Sequence, residues 1–182
     1  AGIEQMQDSL QLLNTKTIDL MQIHNLVDWQ TQYETLLDWK ERDSIRYLGI
    51  THYNASAHDD VIRVMNKVPL DFLQINYSLA EPESEQKVLP LARDKGIAVI
   101  ANRPFARGAL FRATKGRELP AWAAEIDCRT WAQFFLKFVV SHPAITCAIP
   151  ATSKPEHMLD NQTAGTGILP DDEMRANMRM VI

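Results

Sequence analysis

The chain has 182 residues, 46% hydrophobic and 23% charged, with a formal net charge of -4. That length and composition exclude disordered and collagen-like classes and allow a buried core, while the missing basic excess argues against a nucleic-acid partner. The longest apolar candidate for a membrane span, FFLKFVV, is interrupted by Lys137 and falls well short of the roughly 18 residues required.

Residues 1–14, AGIEQMQDSLQLLN, place Ile3, Met6, Leu10 and Leu13 at helical spacing, without an initiator methionine or a signal-peptide core, so the chain reads as entered in mid-fold. IDLMQIH, from Ile18, is a strand whose end sets Gln22 and His24 two apart, on one face. TQYETLLDWKERD follows as a helix whose charged end, residues 38–43, is expected to be solvated. IRYLGITHY from Ile45 is the second strand and SAHDDVIRVMNKV its helix. LDFLQINYSL from Leu70 is the third strand, and SEQKVLPLARDKG is a helix stopped at Gly96. IAVIANRPF from Ile97 is the fourth strand. The segment from Phe111 to Cys128 exceeds ordinary loop length and is expected to form an extra helix or lid. RTWAQFFLKFVVSH is a helix, with Trp131 and the earlier Trp122 expected to pack rather than to touch substrate, and ITCAIPATS from Ile145 is the fifth strand.

Strand starts at 18, 45, 70, 97 and 145 are 27, 25, 27 and 48 residues apart, and the regular first three intervals are the signature of a recurring supersecondary unit. Strand–helix alternation predicts a parallel α/β sheet with right-handed crossovers, and strands rich in Ile, Leu and Val predict coverage on both faces. Polar residues gather at the C-terminal end of every strand: Gln22 and His24, Thr51 and His52, Gln74 and Asn76, Asn102 and Arg103, Thr152 to Lys154. A (β/α)8 TIM barrel builds its site on that face. A doubly wound sheet is the weaker reading, since no Gly-rich first turn is present. Five strands cannot close such a barrel, so residues 1–182 are expected to be a single domain, the C-terminal part of a partial barrel with about five of eight βα units. Three further units, on the order of 80 residues, would then lie upstream.

Taken alone, His24 is either a catalytic group or a core histidine with a loop partner. Gln74 carries a buried amide that needs partners, supplied by neighbouring side chains or by an amide-bearing ligand. In IPATSKPEHMLDN, Ser153 with Glu156 matches a capping box and Pro155 suits a first turn. Thr152 to Lys154 would then form either a phosphate site at a helix N-terminus or a simple cap with a solvated lysine. In NRPFARGAL, Arg103 and Arg107 beside Gly108 are either a second phosphate contact or solvent-facing charges. The two cysteines, Cys128 and Cys147, are too few for a disulfide framework and have no ligand spacing, so a reducing, cytoplasmic setting and no metal are expected.

Together these stretches resemble the aldo-keto reductase family of NADPH-dependent carbonyl reductases, over essentially the whole chain. IDLMQIH is similar to the family's fourth strand, which implies that His24 is its catalytic histidine. IRYLGITHYN resembles the fifth, whose polar pair holds the nicotinamide carboxamide and implies Thr51 and His52, with His52 departing from the usual asparagine. FLQINYSL resembles the sixth and implies that Gln74 binds the same carboxamide. IANRPFARGAL resembles the seventh strand and the pyrophosphate loop, implying Asn102, Arg103, Phe105, Arg107 and Gly108, with Asn102 where an aromatic ring is usual. IPATSKPEHMLDN resembles the segment that grips the adenosine 2'-phosphate and adenine, implying Thr152, Ser153, Lys154, His157 and Asn161. The implied activity is NADPH-dependent reduction of an aldehyde or ketone, a small-molecule carbonyl substrate, with no nucleic-acid or membrane partner. The resemblance also implies an aspartate, tyrosine and lysine that residues 1–182 lack, so the chain alone is expected to be inactive. The alternatives are a non-catalytic NADP-binding regulatory or sensor protein of the same fold, and a barrel that uses the last loop for a phosphorylated substrate.

Overall fold

The computed structural model describes residues 2–182; Ala1, part of the N-terminal helical reading, lies outside the described residues. In chain order the elements are α1 (Gly2–Leu12), β1 (Ile18–His24), α2 (Trp29–Glu41), β2 (Ile45–Thr51), α3 (His58–Lys67), β3 (Phe72–Asn76), α4 (Val88–Asp94), β4 (Ala98–Asn102), α5 (Ala109–Ala113), α6 (Trp131–Val140), β5 (Cys147–Ala148), α7 (Pro155–Thr163) and α8 (Asp172–Arg179). Gly96 ends α4 at a φ of +67°, a conformation that L side chains rarely adopt. The last strand is shorter than its sequence pattern. Thr146 and Ile149 extend its ladder with one backbone bond each, to Val99 and Ala101, and Pro150 then has no N–H to continue it.

All five strands are parallel and lie in chain order, β1-β2-β3-β4-β5. This is a five-unit portion of a (β/α)8 barrel. One face is fully covered by helices: Ile50, Leu73, Ile75, Val99 and Ala101 are all 0% exposed. On the other face Leu20, Phe72 and Ile100 are half-buried and Tyr47 is 47% exposed. The expectation of coverage on both faces therefore fails for residues 2–182. A barrel interior is filled by side chains from opposing strands, and five strands place none opposite.

Close approach across this interior face depends on Gly49. A Cβ there would meet the Phe72 carbonyl oxygen at 2.7 Å, and main chain cannot yield as a side chain can. Gly49→Ala should lower stability by about 1–3 kcal/mol, read as a fall in the urea midpoint at unchanged slope. An unchanged midpoint would refute the close approach.

The charged end of α2 is not simply solvated. Lys40 Nζ pairs with Asp71 Oδ2 at 2.6 Å, and the same oxygen accepts the Leu48 N–H at 2.8 Å, so the cluster ties α2 to the middle of β2 and the approach to β3. Residues 111–128 supply the second half of α5 and a 3-10 turn at Ala121–Ile126. Ala123, Ile126 and Cys128 are buried, and Trp122 packs on Phe134 of α6 at 5.6 Å, so this part lies against α6.

Candidate active site

Strand register brings the first three predicted residues together. His24 pairs with Thr51, and Thr51 pairs with Gln74, so the three occupy one row across β1, β2 and β3. In a parallel ladder such neighbours share a face and stand about 4.8 Å apart. The face is the half-open one, because the residues between them, Ile23, Ile50 and Leu73, point into the helix layer. An imidazole, a hydroxyl and a carboxamide thus converge at the C-terminal mouth of the sheet.

One pleat further on, Asn76 pairs with Asn102. Asn76 turns away from the mouth: its Oδ1 meets His58 Nε2 and its Nδ2 donates to Glu81, both at 3.3 Å. Asn102 Nδ2 donates to the His52 carbonyl at 3.0 Å, while its Oδ1 is buried without a partner. Such an orphaned acceptor is costly unless something supplies a donor. The His52 ring does not join the row. Its Nδ1 accepts the Asn54 N–H, and the ring lines the neighbouring groove between α2 and α3. Burial, followed by the nearby His58, holds its pKa below the usual histidine value.

Arg103 is held rather than solvent-facing. Its Nη1 donates to the Tyr53 carbonyl and its guanidinium lies 4.0 Å from the Tyr53 ring centre, with Tyr53 stacked on His52. Arg103, Ala106 and Arg107 all have positive φ, followed by Gly108 at +80°. Non-glycine residues in this region carry strain that tends to collect at functional loops. Arg107 is exposed.

A cavity of about 390 Å³ lies between this loop, α6 and α7. It gathers Phe105, Thr152, His157 and Asn161 from the sequence reading, together with Phe111, Thr130, Trp131 and Asp160, which that reading did not assign to a site. The expected capping box at Ser153 and Glu156 does not form. Lys154 is the α7 N-cap in extended conformation with no side-chain cap bond, and Thr152 Oγ1 instead accepts the Lys154 N–H at 3.2 Å. That leaves Ser153 and Lys154 exposed at a helix N-terminus with free N–H groups. A related cap forms at Thr130, where Thr130 Oγ1 accepts the Gln133 N–H and Gln133 Oε1 reaches one residue past the capping-box position to accept the Arg129 N–H. Asp160 completes it, accepting from Thr130 Oγ1 at 2.8 Å and Gln133 Nε2 at 2.7 Å. The motif TWAQ in the sequence was the available signal for Thr130. Trp131 stacks on Phe135 and also forms cavity wall, so packing and lining coincide in one ring.

This geometry matches a known family. The Aldo/keto reductase family model covers residues 3–180. The chain belongs to the aldo/keto reductase family. An uncharacterized oxidoreductase of Schizosaccharomyces pombe is 31% identical over 173 residues, 93% of this chain and 54% of that protein. An aldo-keto reductase of Bacillus subtilis is 32% identical over 111 residues, 59% of this chain and 33% of its own length. This aldo/keto reductase chain thus spans 54% and 33% of the length of these two curated relatives. Among solved structures, the holo form of an aldo-keto reductase of Bacillus halodurans superposes with a TM-score of 0.79 at 21% identity, covering 98% of this chain and 65% of that one. An aldo/keto reductase of Klebsiella pneumoniae in complex with NADP and acetate gives 0.79 at 22%, covering 97% and 62%. At such identities the likeness establishes the fold. No helix among the described residues is long and apolar enough to cross a membrane.

Proposed function

We propose that residues 1–182 form the cofactor cradle and substrate-orienting side of an NADPH-dependent carbonyl reductase, as the C-terminal part of a single barrel domain. The observation that carries this reading is the row His24, Thr51, Gln74 on the open face of the sheet. The residues present fit the cofactor: the orphaned Asn102 Oδ1 suits a carboxamide N–H beside Thr51 and Gln74. The aromatic cavity near α7 suits an adenosine, and Lys154 with the α7 N-terminus suits its 2'-phosphate.

When bound, NADPH supplies the hydride that reaches the carbonyl carbon. Thr51 and Gln74 orient the nicotinamide through its carboxamide, fixing which face meets the substrate. A ring N–H of His24 donates to the substrate oxygen, aligning the carbonyl and stabilising negative charge as it develops there. The proton must come from elsewhere. Tyr33 donates to the Pro69 carbonyl, Tyr53 lies under Arg103, Tyr77 is buried against Glu85, and Tyr47 lies two pleat periods before the His24 row. This arrangement supports a proton donor outside residues 1–182, and residues 1–182 alone should reduce no aldehyde. Robust NADPH-dependent turnover by that segment would overturn the assignment.

In the full-length gene product, Lys154→Ala should weaken NADPH binding about tenfold and leave NADH binding unchanged, measured by quenching of protein fluorescence. Equal affinity of the unaltered protein for both cofactors would remove Lys154 from its role. The position of Asn102 favours a second reading, an NADP-binding sensor without efficient catalysis, because an amide stacks poorly on nicotinamide. An intact aspartate, tyrosine and lysine in the upstream sequence, with measurable turnover, decides for the enzyme.

A further inference from the structure

A second cavity, of about 360 Å³, lies on the far side of β2 from the cofactor cradle, between α2 and α3. Its upper end is lined by Asn25 and His52, its wall by Trp29 and Val64, and its lower part by Asp60, Arg63 and Lys67. Asn25 is anchored by its backbone to the Thr51 carbonyl at 2.9 Å, which sets it beside His52. Its Oδ1 is buried without a donor. His52 Nδ1 already accepts the Asn54 N–H, so in the neutral ring Nε2 carries the proton and donates. The upper end therefore offers one acceptor and one donor side by side, the complement of an amide. At the lower end Arg63 shares one nitrogen with Asp60 at 2.6 Å, and Lys67 sits 5.4 Å from the Trp29 ring centre with no carboxylate partner among the described residues. Asp60 offsets one of the two cations, so the two cations and one anion leave this part of the groove with a net positive charge that favours a carboxylate.

We propose that the groove between α2 and α3 binds a small carboxylate carrying an amide, of the N-acyl amino acid class. The amide meets Asn25 and His52, the apolar side chain lies on Trp29, and the carboxylate reaches Arg63 and Lys67. The spans agree. Arg63 and Lys67 are six and ten residues, about 9 and 15 Å, along α3 from Ala57; an acylated residue extends over about 7 Å, and the two long side chains reach back to close the difference. The site is independent of the NADPH reading, and its failure would leave that reading untouched.

The test is calorimetric titration of the full-length gene product, saturated with NADPH, with N-acetylleucine. Saturable binding that quenches Trp29 fluorescence is expected. Arg63→Ala combined with Lys67→Ala should weaken it by about tenfold or more, and these exposed substitutions should leave the thermal midpoint in place. N-acetylleucinamide, which lacks the carboxylate, should lose affinity to the same degree. Absence of saturable binding up to roughly 10 mM overturns the proposal, as does binding indifferent to the double substitution. Tighter binding of acetyl-Gly-Gly-Leu than of N-acetylleucine would assign the groove to a polypeptide end and overturn the small-molecule assignment.

Discussion

Replacing His24 by alanine in the full-length gene product should lower kcat for aldehyde reduction by about 100-fold to 1,000-fold with NADPH affinity unchanged. His24 is the one titratable member of the row that it forms with Thr51 and Gln74, and it ends β1 on the face where those side chains converge. A donor aimed at a developing oxyanion acts most strongly in the transition state, so kcat falls more than KM rises. His24→Gln keeps an N–H donor and should recover part of the loss. Stopped-flow single-turnover rates separate chemistry from product release. If the alanine variant turned over at the original rate, His24 would be only a strand-end residue.

The second large effect concerns the arginine that locks the C-terminal helix. Arg175 is 5% exposed and donates to the Phe138 carbonyl, to Ser141 Oγ at 2.7 Å, to the Tyr77 hydroxyl at 2.6 Å and to Glu85 at 3.0 Å. Arg179 reaches the other Glu85 oxygen, and the Asp171 side chain caps α8 by accepting the Met174 N–H. One guanidinium thus joins β3, α6, α8 and the turn before α4. Arg175→Ala removes the buried cation that four acceptors share, although Glu85 keeps Arg179 and the Tyr77 hydroxyl, and should cost about 3–5 kcal/mol, seen as a large fall in the urea midpoint. A loss under about 1 kcal/mol would mean that water replaces the guanidinium freely.

The same network sets an acid response. Burial pushes the Glu85 carboxyl up, but the Tyr77 hydroxyl, Arg179 and Arg175 outweigh it and hold the group below its ordinary value of 4.5. Burial, then Arg175, also lowers His142, whose ordinary value is 6.5 and whose ring stands edge-on to Tyr77. For both groups the unfolded chain binds protons more readily than the folded one, so stability declines as pH falls. The decline should begin near the ordinary histidine value and steepen below that of a carboxylate. Glu85→Gln should flatten the lower limb, and His142→Asn the upper. A stability profile that keeps its full slope in both variants would place the acid response elsewhere.

Much of this was legible in the sequence because it depends on local periodicity. The strand starts at Ile18 and Ile45, the stop at Gly96 and the polar strand ends follow from side-chain alternation and turn chemistry, which act over a few residues. Parity alone placed Gln22 with His24, and the same parity separates Thr51 from His52. The expected pairing of those two at the mouth does not form: adjacent strand residues point to opposite faces, and the His52 ring enters the α2–α3 groove.

Other features required the chain to fold back on itself. Register decided that His24, Thr51 and Gln74 share one row, since parallel strands offer several offsets that the hydrophobic pattern barely distinguishes. Asp160 gained its place only when α7 packed against α6 and met Thr130 across thirty residues of chain. Thr130 caps α6 with its side chain, whereas Ser153 caps nothing because Lys154 takes the cap position ahead of Pro155. Lys137, in the middle of an apolar helix, reads as an interruption, yet it is fully buried with its ammonium on the Thr166 and Ile168 carbonyls, each at 2.7 Å. Sequence by itself determined the repeating unit, the barrel class and the end of the sheet where chemistry belongs. Tertiary structure decided which polar side chains meet there, because hydrogen bonds between distant residues depend on register and packing, to which local patterns are blind.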